Sequence, residues 1–241
     1  MGSLAEWGKM RSRPPGPAAM LHDHQRRFFD LALQCEVLRF GEFTLKSGRT
    51  SPYFFNAGRF DSGPALAALG ACYADALEAS RLDFDMLFGP AYKGIPLATA
   101  LALTLAARGR AVPLAFNRKE AKAHGEGGVT FGAPLQGRVL IVDDVVTAGT
   151  AVRESISLIR AAGATPCAVL VALDRQERGL GERSATREIA ESEGLPVIAI
   201  AGLDQLLTYT GERPELLAHG PRLAEYRRRH GCPAAQENPN P

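Results

Sequence analysis

The chain has 241 residues, of which 46% are apolar and 22% charged, with a formal net charge of +2. That mix predicts an ordinary soluble globular protein with a sizeable core, and the charge gives no basis for a nucleic-acid or membrane-surface binder. Cys35, Cys72, Cys167 and Cys232 form no Cys-x-x-Cys pair, so neither a zinc site nor a disulfide framework is expected, and a reducing, cytoplasmic setting fits.

In chain order, residues 1–20 carry the Pro14-Pro15-Gly16-Pro17 cluster and no continuous apolar stretch, which predicts a disordered extension rather than a secretory signal. His22 to Val37 has apolar residues near helical spacing and predicts an amphipathic helix. The His22-x-His24 pair at its start is not expected to bind metal. Phe40 to Leu45 and Ser51 to Asn56 read as a hairpin outside the main sheet, within a small N-terminal segment of about residues 38–57.

A helix over Gly63 to Ser80, a strand over Phe84 to Phe88, a loop from Gly89 to Gly94 and a helix over Ile95 to Ala107 come next. A strand over Val112 to Phe116 leads into Asn117 to Gly128, where Gly125, Gly127 and Gly128 argue against stable helix or strand and predict a mobile loop. The strand Val139 to Val142 leads to a helix over Ala151 to Ala162. Further elements are a strand at Pro166 to Leu173, a helix at Ala185 to Glu193, a strand at Pro196 to Ile200, and helices at Leu203 to Tyr209 and Pro214 to Arg229. The alternation from Gly63 onward predicts an α/β fold: a doubly wound, mostly parallel sheet flanked by helices. One domain should span residues 21–231, with a frayed tail over 232–241.

The most informative stretch is Val139 to Ala151. Its apolar run fits a central strand buried on both faces, and it ends in the adjacent carboxylates Asp143 and Asp144. The turn Thr147, Ala148, Gly149, Thr150 exposes successive backbone N–H groups at a helix start, a seat for phosphate. Carboxylates beside such a seat repel a bare anion, so they should face sugar hydroxyls or a metal ion. A phosphorylated sugar meets both demands. The plainer reading, in which the acids merely cap the next segment, is weaker for two carboxylates placed directly after a buried strand.

In an open parallel sheet the loops that follow successive strands share one edge, so those starting at Gly89, Asn117, Asp143 and Asp174 should meet. Tyr92, Lys93 and Gly94 in the first, and Arg118, Lys119, Lys122 and His124 in the second, supply cationic groups for a second anionic site. A ligand with phosphate at two separate places is implied.

With these residues together, the chain resembles the type I phosphoribosyltransferases, and within them the orotate phosphoribosyltransferases. The likeness runs from about Phe28 to Arg229. It rests on the acid pair with Thr147-Ala148-Gly149-Thr150, on Leu45-Lys46-Ser47-Gly48-Arg49, Ser51-Pro52-Tyr53-Phe54-Phe55-Asn56 and Gly89-Pro90-Ala91-Tyr92-Lys93-Gly94, and on Asn117 to Lys122, His124 to Gly127 and Leu173 to Arg178.

The resemblance implies that phosphoribosyl pyrophosphate is bound by Lys46, Tyr92, Lys93, Arg118, Lys119, Lys122, His124, Asp143, Asp144 and the run Val145, Val146, Thr147, Ala148, Gly149, Thr150 and Ala151. It implies orotate contacts at Lys46, Phe54, Phe55, Thr147 and Arg175, and a catalytic part for Lys122, Lys119 and His124. It further implies Mg2+ held mainly by substrate and water, and a homodimer in which the loop over residues 118–128 completes the neighbouring subunit's site. Two alternatives stand beside it. One is a phosphoribosyltransferase for another nucleobase, although a purine enzyme would be expected to carry a C-terminal hood. The other is a phosphoribosyl-pyrophosphate-sensing regulator, which would have little need of Lys119, Lys122 and His124.

Overall fold

The computed structural model describes residues 20–45, 47–122, 128–178 and 181–232. The N-terminal extension, Lys46, His124 and the tail beyond Cys232 therefore lie outside the described residues, as does the side chain of Lys122.

The chain opens with α1 (Asp23–Gln34), which buries Phe28, Phe29 and Ala32, a spacing that sets one apolar face inward. Strands β1 (Leu38–Thr44) and β2 (Thr50–Phe55) form an antiparallel two-stranded sheet of their own. A 3-10 turn, Ala57–Arg59, leads to α2 (Gly63–Ser80), where the Ser62 side chain caps the first turn by accepting from Ala65 N. Then come β3 (Met86–Gly89), α3 (Gly94–Ala107), β4 (Leu114–Lys122), β5 (Gly128–Gly132), β6 (Arg138–Asp143), α4 (Thr150–Ala161), β7 (Thr165–Asp174), α5 (Ala185–Glu193), β8 (Val197–Gly202), α6 (Leu203–Glu212), a 3-10 turn (Pro214–His219) and α7 (Gly220–His230).

The main sheet has the order β5-β4-β3-β6-β7-β8. Only the β4–β5 pair is antiparallel, so the expected mostly parallel sheet is present. Its faces separate cleanly. Leu87, Leu140, Val142, Leu170 and Ala172 face a core shared with α1, α2, α3 and α6. Met86, Phe88, Val139, Ile141, Val169 and Val171 face α4 and α5. Period-2 alternation with apolar residues on both faces is what burial beneath two helical layers requires.

The chain runs outward from β3 through α3 to β4, and in the other direction from β6 through α4 to β7 and α5 to β8. The reversal falls between β3 and β6, so their carboxyl ends, Gly89 and Asp143, flank the crevice where such sheets bind ligands.

Three expectations are corrected. Asn117 to Lys122 is not loop but the outer part of β4, paired with β5 in the registers Asn117↔Thr130 and Lys122↔Gly128, with an irregularity between them. Gly128 opens β5, residues 123–127 lie outside the described residues, and the antiparallel partner supplies the hydrogen bonds that local sequence does not reveal. The continuous helix over Pro214 to Arg229 is divided into a 3-10 turn over Pro214–His219 and α7, which starts at Gly220 with Pro221 in its first turn, where a missing N–H is tolerated. The first helix stops at Gln34, short of Val37, as Glu36 turns into the left-handed region at φ 53°.

Candidate active site

The site is built on the two central strands. Strand β6 ends on Asp143 and Asp144, both nearly buried, at 8% and 5% exposed. The chain anchors them through backbone atoms: the Tyr73 hydroxyl on α2 donates to Asp143 O at 2.8 Å, and Ala172 N and Leu173 N on β7 donate to Asp144 O. Asp144 N donates to Asp143 Oδ1 at 2.9 Å. Two acids this close and this dry cannot both ionise freely. Burial, reinforced by the neighbouring Asp144 charge, pushes the Asp143 carboxyl up to about 7. Burial likewise keeps Tyr73 protonated, so it remains a donor.

Lys93 answers the second acid. Its Nζ lies 2.6 Å from Asp144 Oδ2, bringing the loop after β3 onto the loop after β6. The approach depends on Gly94, where a Cβ would sit 2.7 Å from Val142 O and 2.5 Å from the Pro90 ring. Asn117 closes the other side by accepting from Ala91 N at 2.7 Å through its side-chain oxygen. Tyr92 is 67% exposed at the rim, and Lys119 Nζ stands 5.0 Å from its ring centroid, while Arg118 lies over Phe131. The Ala91–Tyr92 peptide is cis.

The turn after the acids exposes Thr147, Ala148 and Thr150, while Val146 packs into the core and Val145 is half-buried. Gly149 takes φ 73°, and a Cβ there would meet Ile189 at 3.0 Å and the Arg153 guanidinium at 2.9 Å. Helix α4 starts immediately afterwards at Thr150, so Ala151 lies in its first turn. The first-turn N–H groups of α4 have no partners within the helix and, with the positive helix end, make a place that can accept an anion. Arg153 donates to Ala148 O and fixes the turn from behind.

The hairpin supplies aromatic surface. Alternation along β2 puts the adjacent phenylalanines on opposite faces. Phe54 stacks on Phe43 at 5.4 Å, with the Arg39 guanidinium over both rings. Phe55 is 9% exposed and packs on Phe28 at 6.1 Å. Its ring belongs to the core, leaving its backbone as what it can offer a ligand. Arg175, beyond β7, donates twice to Glu177 Oε1 and lies 4.8 Å from the Tyr53 ring centroid.

Three of the four loops, those starting at Gly89, Asn117 and Asp143, are joined directly, while the one starting at Asp174 is tied to them only through the strand that precedes it. The pairs Lys93–Asp144 and Ala91–Asn117 make the direct connections, and Asp144 O accepts from Ala172 N and Leu173 N within β7. Sequence reasoning missed Tyr73, Asn117 as an acceptor, and the partners of Arg175. A lone tyrosine within the apolar run of α2 was the one available signal. Among the described residues no group of three or more His, Cys, Asp or Glu side chains is placed to hold a metal ion. No described helix is long and apolar enough to cross a membrane.

Comparison with known proteins agrees with this geometry. The Phosphoribosyl transferase domain family matches residues 58–194, from just after the hairpin to the end of α5. The chain is 60% identical over 211 residues to an orotate phosphoribosyltransferase of Marinobacter nauticus, covering 88% of this chain and 100% of that protein. It is 63% identical over 212 residues to the orotate phosphoribosyltransferase of Xanthomonas axonopodis pv. citri, covering 87% and 97%. Among solved structures, the orotate phosphoribosyltransferase of Francisella tularensis superposes with a TM-score of 0.77 at 42% identity, covering 85% of this chain and 98% of that one. The chain belongs to the orotate phosphoribosyltransferases, transferases of the phosphoribosyl transferase fold.

Proposed function

We propose that the protein transfers the 5-phosphoribosyl group from phosphoribosyl pyrophosphate to orotate, with Mg2+, giving orotidine 5'-monophosphate and pyrophosphate in pyrimidine biosynthesis. The observation that carries the reading is the Lys93–Asp144 pair, which holds a cation against the acid pair that precedes the turn Thr147 to Thr150.

The 5-phosphate takes the N–H groups from Thr147 to Ala151, and Asp143 and Asp144 take the ribose hydroxyls. As a second anion enters beside Tyr92, Lys93 exchanges its carboxylate for pyrophosphate oxygen and frees Asp144 to accept from the sugar. Lys119 is already within reach of that place, over the Tyr92 ring. Arg118, Lys122 and His124 are assigned to the same group by the resemblance. When the bond from C1 to pyrophosphate oxygen breaks, the electron pair leaves with pyrophosphate, positive charge spreads over the ring, and the base nitrogen, giving up its N–H proton to a departing pyrophosphate oxygen, supplies the pair for the new bond to C1. The cations hold the departing charge while the buried acids face the developing positive ring, so catalysis is positioning plus electrostatic stabilisation.

Mg2+ fits this donor set because the acids, hydroxyls and phosphate oxygens are all hard ligands; when bound it would neutralise pyrophosphate charge. The resemblance assigns Lys46, Phe54, Phe55, Thr147 and Arg175 to the base, and since the Phe55 ring packs in the core we assign its backbone to that contact. We assign the active unit to a cytoplasmic homodimer in which the 118–128 segment, apart from Lys119 over the Tyr92 ring of its own chain, reaches the neighbouring subunit's crevice. The test is to mix purified protein with Mg2+, phosphoribosyl pyrophosphate and orotate and follow orotate absorbance. Loss of absorbance that needs all three supports the reading, and no orotate-dependent pyrophosphate release overturns it.

A further inference from the structure

The base-side arginine is held in an unusual way. Both Arg175 Nε at 3.0 Å and its NH2 at 2.7 Å donate to a single oxygen, Glu177 Oε1. The Tyr53 hydroxyl donates to the same oxygen at 3.0 Å. Tyr53 is fully buried, and its ring lies beneath the guanidinium at 4.8 Å. One acceptor and one aromatic plane therefore fix both the direction and the tilt of the guanidinium. Among the described residues, the Arg175 NH1 group has no protein acceptor and is left to donate elsewhere.

The segment carrying the pair is clamped from two sides. The Arg49 guanidinium, from the turn between β1 and β2, donates to Arg178 O at 2.7 Å. From the other side Arg178 N donates to His230 O and Cys232 N to Gln176 O, both at 2.8 Å, at the end of α7. The aromatic hairpin, the loop after β7 and the C-terminal helix thus converge on Glu177. A surface ion pair would need none of this. Here the side chains of Arg175 and Glu177 are only 15% and 11% exposed.

We infer that Glu177, with Tyr53, is a positioning residue that aims the free edge of Arg175 at an anionic oxygen of the pyrimidine, and so governs affinity for the base and not for the sugar donor. The inference rests on the proposed placement of orotate beside Arg175. Glu177→Ala removes the shared acceptor, and KM for orotate should rise about tenfold, the loss of one charge-assisted contact, with KM for phosphoribosyl pyrophosphate changed less than twofold. Glu177→Gln keeps an oxygen at the same place and should recover most of that loss. Tyr53→Phe keeps the ring and removes one donor, so KM for orotate should rise about two- to threefold; it decides the matter if the alanine variant does not fold.

An equal rise in both KM values, or an unchanged KM for orotate in a folded Glu177→Ala, would overturn the inference. So would a glutamine variant as impaired as the alanine one. Wild-type protein inert toward orotate defeats the functional reading instead, which separates the two failures.

Discussion

Lys93 Nζ stands 2.6 Å from Asp144 Oδ2, joining the loop after β3 to the loop after β6 across the reversal point of the sheet. The lysine side chain is half exposed while the acid is nearly buried, so the contact compensates a buried carboxylate and holds a cation where the second anion is expected. Lys93→Ala should raise KM for phosphoribosyl pyrophosphate about tenfold. Its thermal midpoint should fall by several degrees, since the nearly buried Asp144 carboxylate is left without this cation. Initial-rate kinetics and a melting curve check both halves.

Asp143 gives a pH-dependent prediction. Because burial and Asp144 raise its folded pKa to about 7, the folded state binds more protons than the unfolded chain between the ordinary carboxylate value and that pH. This group's contribution to stability therefore falls as pH rises through the window. Asp143→Asn removes the penalty, so its melting midpoint should exceed that of wild type at about pH 8 and the gap should narrow at about pH 5, while turnover drops at least tenfold. A gap that widens on acidification would contradict the assignment.

Adjacent residues on β2 should behave oppositely. Phe55 belongs to the core, and Phe55→Ala should cost about 3 kcal/mol of stability by denaturant unfolding. Phe54 stacks on a neighbouring ring at the half-buried face, and Phe54→Ala should cost about 1 kcal/mol while raising KM for orotate several-fold.

The shared-site proposal predicts complementation. A Lys122→Ala chain and an Asp143→Asn chain, each defective alone, should recover activity when mixed, because one interface in the hybrid dimer combines an intact crevice with an intact 118–128 segment. Native mass spectrometry verifies hybrid formation. Hybrids present but inactive would place each site within a single chain.

Much of this was legible in the sequence where chemistry is local. The apolar run Val139 to Val142, the acid pair and the small-residue turn occupy one strand, turn and helix start, and period and composition suffice to read them. The extension of β4 to Lys122 was not legible, since it depends on pairing with β5 across intervening glycines. The opposite facing of Phe54 and Phe55 follows from strand geometry, yet the family likeness placed both over the base. The link from Tyr53 to Glu177 spans 124 residues of chain and leaves no local signal; only the folded hairpin brings the two together.

The central claim concerns which base is used. The most direct measurement is pyrophosphate release from phosphoribosyl pyrophosphate and Mg2+ with orotate, uracil, adenine and hypoxanthine offered separately. The account predicts release with orotate at least a hundredfold faster than with any other base, because buried donors discriminate strongly against ligands lacking the matching acceptor. Faster release with a purine, or release unaffected by any base, would contradict it.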